Sequence, residues 1–358
     1  MSSTQLRSLR AATIASLLVL AGSTAHAQAE RRTVAGSSIA IYDIAGRVQV
    51  EPGTGSEVVV EVTRAGRDSR RLTVEVGEIR GRNTLRVIFP DDDIVYPELG
   101  RWSNSDFSVN SDGTWGGDRG DRSWFRGHRI HVRGSGRGVE AWADLRILVP
   151  AGKRVDVNLG VGEMDANRVD ADLHLDASSG RVHATNTKGT LSIDTGSGGI
   201  DVRGATGESV TLDTGSGGIS VYEVSSKRCK FNTGSGGVKG GGLDCDDLDI
   251  DTGSGSISVD GAKASRIKLD AGSGGINVAV NSSPRSLDVD AGSGGVTISL
   301  PSTISAEVEI ETGSGGIDSD FPIQVTRMER NHLRGTLGKG EGRIRIESGS
   351  GRVHLRRN

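Results

Sequence analysis

Large side chains are scarce in this chain. Phe, Trp and Tyr make up 3% of its 358 residues, Met occurs three times and Pro seven times. A wide globular core cannot be filled from so few, although a thin one can be filled by Val, Ile and Leu. Two cysteines exclude a disulfide-dense scaffold. No run reaches the 18 or so consecutive apolar residues of a typical membrane-spanning helix. Neither sign of charge dominates: 43 basic residues face 46 acidic ones, a net charge of −3. That mild acidity argues against a nucleic-acid partner.

Glycine is what the chain has in excess. Its 54 residues are about twice the usual share of roughly 7%. High Gly without a collagen-like triplet points to many tight turns, and the expectation is that Gly serves there by accepting positive φ.

The first residues have the form of a secretory signal. Arg7 and Arg10 precede the apolar run Ala11 to Gly22, and Ala25-His26-Ala27 is a small-x-small cleavage site. The expected signal peptide is 1–27, with export to the periplasm or the exterior and no span in the mature chain. No Cys follows the apolar run, which argues against a lipid anchor. Without 1–27 the balance is 41 basic to 46 acidic residues, a net charge of −5.

A Thr-Gly-Ser-Gly-Gly-Ile block recurs, with its first Gly at Gly196, Gly215, Gly234, Gly253, Gly272, Gly292 and Gly313. The spacings are 19, 19, 19, 19, 20 and 21. Weaker copies surround Gly180 and Gly351. A fixed period near 20 is the signature of a solenoid. Segments that alternate apolar and polar residues flank each block, such as Val210-Thr211-Leu212-Asp213 before it and Ile219-Ser220-Val221 after it. Each has the period of a strand with one buried face. The prediction is an all-β chain: a single-handed parallel β-helix of about 19-residue rungs with irregular N-terminal strands. Near-constant spacing favours this over a meander of hairpins. One rung buries about four apolar side chains at roughly 1.5–3 kcal/mol each, less than the cost of ordering its backbone, so rungs must stack to be stable.

Three regions follow: the signal peptide 1–27, an N-terminal β region 28–150, and the β-helical repeats 151–358. The N-terminal strands are expected to close one end of the stack. The final copy, Gly342 to Leu355, is expected to close the other.

The arrangement resembles the bacterial toastrack-like adhesin family of β-strand repeats. The resemblance is carried by Asp194-Thr195-Gly196-Ser197-Gly198-Gly199-Ile200, Asp320-Phe321-Pro322-Ile323 and Gly340-Glu341-Gly342-Arg343-Ile344. It implies a β-helix at the cell envelope, with an adhesive or envelope-stress role, and brings no catalytic residues with it.

The residues two before each repeat Gly (Asp194, Asp213, Asn232, Asp251, Asp270, Asp290 and Glu311) would form an acidic ladder. Such a ladder either holds a cation or, as the spacing favours, accepts turn amides in Asx-type turns. Ser197 and its equivalents lack the Gly two residues earlier that a nucleophile elbow requires, and no phosphate-binding loop or cofactor motif occurs. No metal site is expected. His128 and His131 should point to opposite faces of a strand.

Residues 91–127 break the pattern and hold Tyr96, Trp102, Phe107, Trp115, Trp124 and Phe125. They either contact a ligand or fold back over the open end of the core. Cys229 is equivalent to the inward Val210 and Leu248. A bridge to Cys245 requires a tight fold there, and both states remain open. The leading functional expectation is a non-enzymatic binding or structural module at the envelope, with a glycan or envelope protein as partner. An envelope-stress scaffold and a polysaccharide-acting β-helix enzyme are the alternatives.

Overall fold

A computed structural model describes residues 29–115 and 127–358. The expected signal peptide lies outside the described residues, as do Trp124 and Phe125. Among the described residues there is no α-helix, only strands and two short 3-10 turns. Among these residues no helix is long and apolar enough to cross a membrane.

The repeats stack as a parallel β-helix. Strand Leu191–Thr195 pairs in parallel with Asp172–Ser179 on one side and Thr206–Thr214 on the other. The next facet does the same, with Ile200–Arg203 between Val182–Thr185 and Ile219–Thr233. Equivalent residues are therefore in register. Val210, Cys229, Leu248 and Ile267 form one inward ladder, and Ile200, Ile219, Val238 and Ile257 form another. All are buried, in a single hydrophobic core that runs from Val34 to Leu355.

The repeat glycines are required for a reason other than positive φ. None of those in the Gly-Ser-Gly turns takes the left-handed region. At these turns successive rungs approach closely. A Cβ at Gly217 would sit 1.8 Å from the Gly198 carbonyl oxygen, which no side chain can accommodate. The left-handed region is used at the second corner of the rung, by Asn186, Gly204, Glu223, Gly242 and Gly261.

The N-terminal strands complete the stack, as expected. Ser38–Pro52 is its first rung, parallel to Arg154–Asn167. On that facet Arg82–Ile88 adds beside it, and Thr73–Ile79 adds antiparallel as the outermost strand. On the second facet Trp142–Val149 pairs with Ser38–Pro52, followed by Val58–Ala65 and Glu30–Val34.

The C-terminal end departs from expectation. The last copy does not close the stack. Gly342–Ser348 lies between Ser286–Ala291 and Ala306–Thr312, parallel to both. Val353–Arg357 likewise lies between Val296–Leu300 and Ile317–Ser319. The end is covered instead by the insertion beginning near Asp320. Its strands His332–Leu337 and Gln324–Met328 form an antiparallel hairpin on the edge of Ala306–Thr312.

Candidate functional site

The irregular segment folds as a small second sheet of Asn104–Val109, His128–Arg133, Asp93–Val95 and Val139–Glu140. It covers the side of the β-helix, not its open end. On the first rung Ile39 and Ile41 point into the main core, so Ala40, Tyr42 and Ile44 point out. That outward face is apolar here, and the small sheet buries it together with Tyr96, Val109, Trp115 and Ile130. Tyr42 meets Trp115 edge-on at 5.2 Å between ring centroids, and Phe107 lies 5.6 Å from Trp115. Phe107 rests on Gly160, where a Cβ would come within 2.2 Å of the ring.

The candidate aromatics therefore separate. Tyr96 and Trp115 are buried and offer no ring face to solvent, and Phe107 is half-buried beside them. Among the described candidates Trp102 alone is open, at 90% exposure, with the Arg101 guanidinium 5.3 Å from its ring centroid. Tyr96 donates to Glu98, which also pairs with Arg47 at 2.9 Å. Burial, followed by the Glu98 charge, holds the Tyr96 hydroxyl well above the ordinary phenol range. His131 contacts Asp106 at 2.7 Å and holds that carboxyl below its usual range, while His128 lies near Asp92. Among the described residues no three His, Cys, Asp or Glu side chains are grouped to hold a metal.

The turn hydrogen bonds run through threonine, where the acidic ladder had been expected to supply them. The Thr233 hydroxyl donates to the Gly217 carbonyl at 2.8 Å and accepts the Gly236 amide at 3.0 Å. Thr214 and Thr252 repeat the pattern. Each buried threonine thus ties its own turn to the neighbouring one. Side-chain direction is the reason. The threonine is on the inward parity, inside the corner, whereas the preceding Asp points out.

The outward Asp residues do stack in register, from Asp176 through Asp194 and Asp213 to Asn232, Asp251, Asp270 and Asp290. Burial and then the Asp194 charge push the Asp176 carboxyl up to about 6. Asp270 is raised by burial, then by Asp251 and Asp290. A second outward ladder runs beside the first and alternates in sign: Lys230, Asp249, Lys268, Asp288, Arg345, Glu309. Period counting alone did not reveal it, because Arg345 enters out of chain order.

Cys229 and Cys245 are joined by a disulfide, with Cα atoms 6.2 Å apart. Cys245 occupies the inward position between Ser226 and Ala264 in the neighbouring rungs, so the bond crosses a corner of the core. Asp43 is fully buried on the inward parity of the first rung, at the ladder position that Thr195 and Thr214 fill higher up. Burial holds its carboxyl well above the usual range, against a smaller opposing pull from the nearby Ala45 and Ile44 amides.

No curated protein matches the chain. A solved structure of a candidate cell-adhesion protein from Clostridium sporogenes aligns over 92% of this chain and 99% of its own, at 9% identity and a TM-score of 0.21. That likeness is too weak to bear on function. The family described as Toastrack DUF4097 matches residues 143–356, well over half of the chain. With its stacked Gly-Ser-Gly turns and intercalated last copy, the chain belongs to the Toastrack DUF4097 family.

Proposed function

We propose that this protein is a non-enzymatic, adhesin-like binding or structural module of the bacterial cell envelope, working outside the cytoplasm. One observation carries the reading. The recurrent corner threonines of the repeat serve the fold, since they bond to turn amides and carbonyls. What the repeat offers to the outside is a long face of charged ladders spaced at about 4.8 Å. Such a face suits many weak polar contacts with an extended partner, a glycan or an envelope protein, better than it suits one buried reaction centre. The buried Cys229–Cys245 disulfide supports an oxidising compartment, and with it export.

Glycan arrays and pull-downs from envelope fractions test the proposal. The expected result is salt-sensitive retention of a glycan or envelope protein, reduced when Lys230, Lys268 and Arg345 are replaced by Gln. Turnover of an envelope polysaccharide in a depolymerisation assay would overturn the non-enzymatic reading.

A further inference from the structure

The stack has two open edges, and they complement each other. On the first facet a single sheet runs from Thr73–Ile79 at the N-terminal end to Gln324–Met328 at the C-terminal end. Among the described residues each of these strands pairs on one side only. Their free edges can accept another strand.

Three of the chain's exposed large hydrophobic residues sit on these two strands. Val76 is 45% exposed, Val325 46% and Met328 70%. All three have the inward parity. Val76 pairs in register with the core residue Leu85, Met328 with the buried Leu333, and Val325 with Gly335, itself beside the core residue Val308. They are exposed because the stack ends there: the end strands cover the core but leave these side chains open.

The charges on the two ends differ in sign. Thr73–Ile79 carries Glu75 and Glu78 and no base. Gln324–Met328 carries Arg327 and no acid, and its register partner is Arg334. Arg327 pairs with Glu329 at 2.6 Å and Glu75 with Arg86 at 2.8 Å, so charge attraction between the two ends would add to pairs already made. The directions also agree. Thr73–Ile79 runs against the rungs, and Gln324–Met328 runs with them. Placed side by side in two coaxial molecules, they make an antiparallel pair.

We propose that copies of this chain dock end to end, the Gln324–Met328 edge of one molecule adding to the Thr73–Ile79 edge of the next. The interface is heterologous, so it propagates into open chains and does not close as a symmetric dimer. This goes beyond the proposed lateral binding and is independent of what that face holds.

The test uses the full chain in sedimentation velocity over a concentration series, with Val76→Lys and Val325→Lys as end-blocked variants. The wild type should form species larger than a dimer as concentration rises. Each variant alone should stay monomeric, and their equimolar mixture should stop at a dimer, since each retains the end the other lacks. A wild type that stays monomeric throughout overturns the proposal, as do variants that still assemble alone or a mixture that fails to dimerise. Circular dichroism checks that both variants fold. If either does not, Gly77→Cys and Thr326→Cys chains are mixed under oxidising conditions. A mixed disulfide dimer supports the docking, and its absence while the wild type is also monomeric overturns it.

Discussion

Asp288 lies in register beside Arg345, although Glu309 is the equivalent residue in the next copy along the chain. Arg345 stands between the two acids. Rungs stacked in chain order would set Asp288 against Glu309 and Asp290 against Glu311, and like charges directly opposite are destabilising. Intercalation of the last copy restores alternation in the ladder that contains Asp288, while in the ladder of Asp290 it sets Glu347 beside Asp290 and Glu311. It also leaves the antiparallel hairpin of 324–337 free to cover the end. The last segment of the chain therefore completes the interior of the stack, so residues 306–337 cannot take their final place without it.

The corner threonines should matter more than the acids before them. Thr233→Val keeps the shape and removes the hydroxyl that serves Gly217 and Gly236. Two partly buried backbone groups lose their partner, which should cost about 1–3 kcal/mol in chemical denaturation. Thr233→Ser should recover most of that loss. Asp251→Asn, on the exposed side of the neighbouring strand Val238–Thr252, should change stability by less than about 0.5 kcal/mol.

Asp176 should make stability depend on pH. Its folded carboxyl titrates at about 6, above its ordinary value of 3.8. A raised folded pKa means the folded state holds the proton more tightly. The associated stability is complete below about pH 4 and is lost as pH rises through 6. Asp176→Asn should therefore be more stable than wild type above pH 6, by up to about 3 kcal/mol, and nearly equal to it below pH 4. Thermal melts across that range read both limits.

Asp43 should be a weak point of the first rung. It places a carboxyl where other rungs carry an uncharged residue, such as Leu159, Ala177 or Thr195. Asp43→Asn removes the charge at nearly constant volume and should raise stability at neutral pH by roughly 1–3 kcal/mol. Because burial raises the folded pKa, the gain should shrink as pH falls towards 4. A gain that stays constant with pH would assign the effect to packing.

The disulfide should stabilise the middle of the stack. It closes a loop with a sequence separation of 16. In the chain-entropy account a loop of that size is worth about 3 kcal/mol. Cys229→Ala with Cys245→Ala should lower stability by about that amount or somewhat more, since Cys229 also fills a core position. Mass measurement after alkylation, with and without reductant, checks the bond itself.

Much of the β-helix was legible because two periods coincide in the sequence. Alternation placed Val210 and Leu212 inward, and the near-19 spacing placed Leu248 and Ile250 above them. The role of Thr233 was harder to see, because the Asp or Asn before each turn imitates an Asx cap. The second corner left no signature at all. Asn186, Gly204 and Glu223 share a backbone conformation but no chemistry. Stacking order was not legible from spacing, since it depends on which rung edges meet in space. For the candidate site, clustering of aromatics in 91–127 was visible, but their burial was not. That required the apolar outward face of Ala40, Tyr42 and Ile44, which alternation alone assigns to solvent.

The order of the rungs can be tested most directly by cysteine cross-linking on the outward face. Neighbouring parallel strands hold equivalent Cα atoms about 4.8 Å apart, within disulfide reach, while strands two rungs apart lie beyond it. One variant carries Asp288→Cys with Arg345→Cys, and the other carries Asp288→Cys with Glu309→Cys. Under mild oxidation the first pair should close and the second should stay reduced, read by mass after alkylation and proteolysis. Closure of the 288–309 pair with the 288–345 pair left open would contradict the intercalated stack.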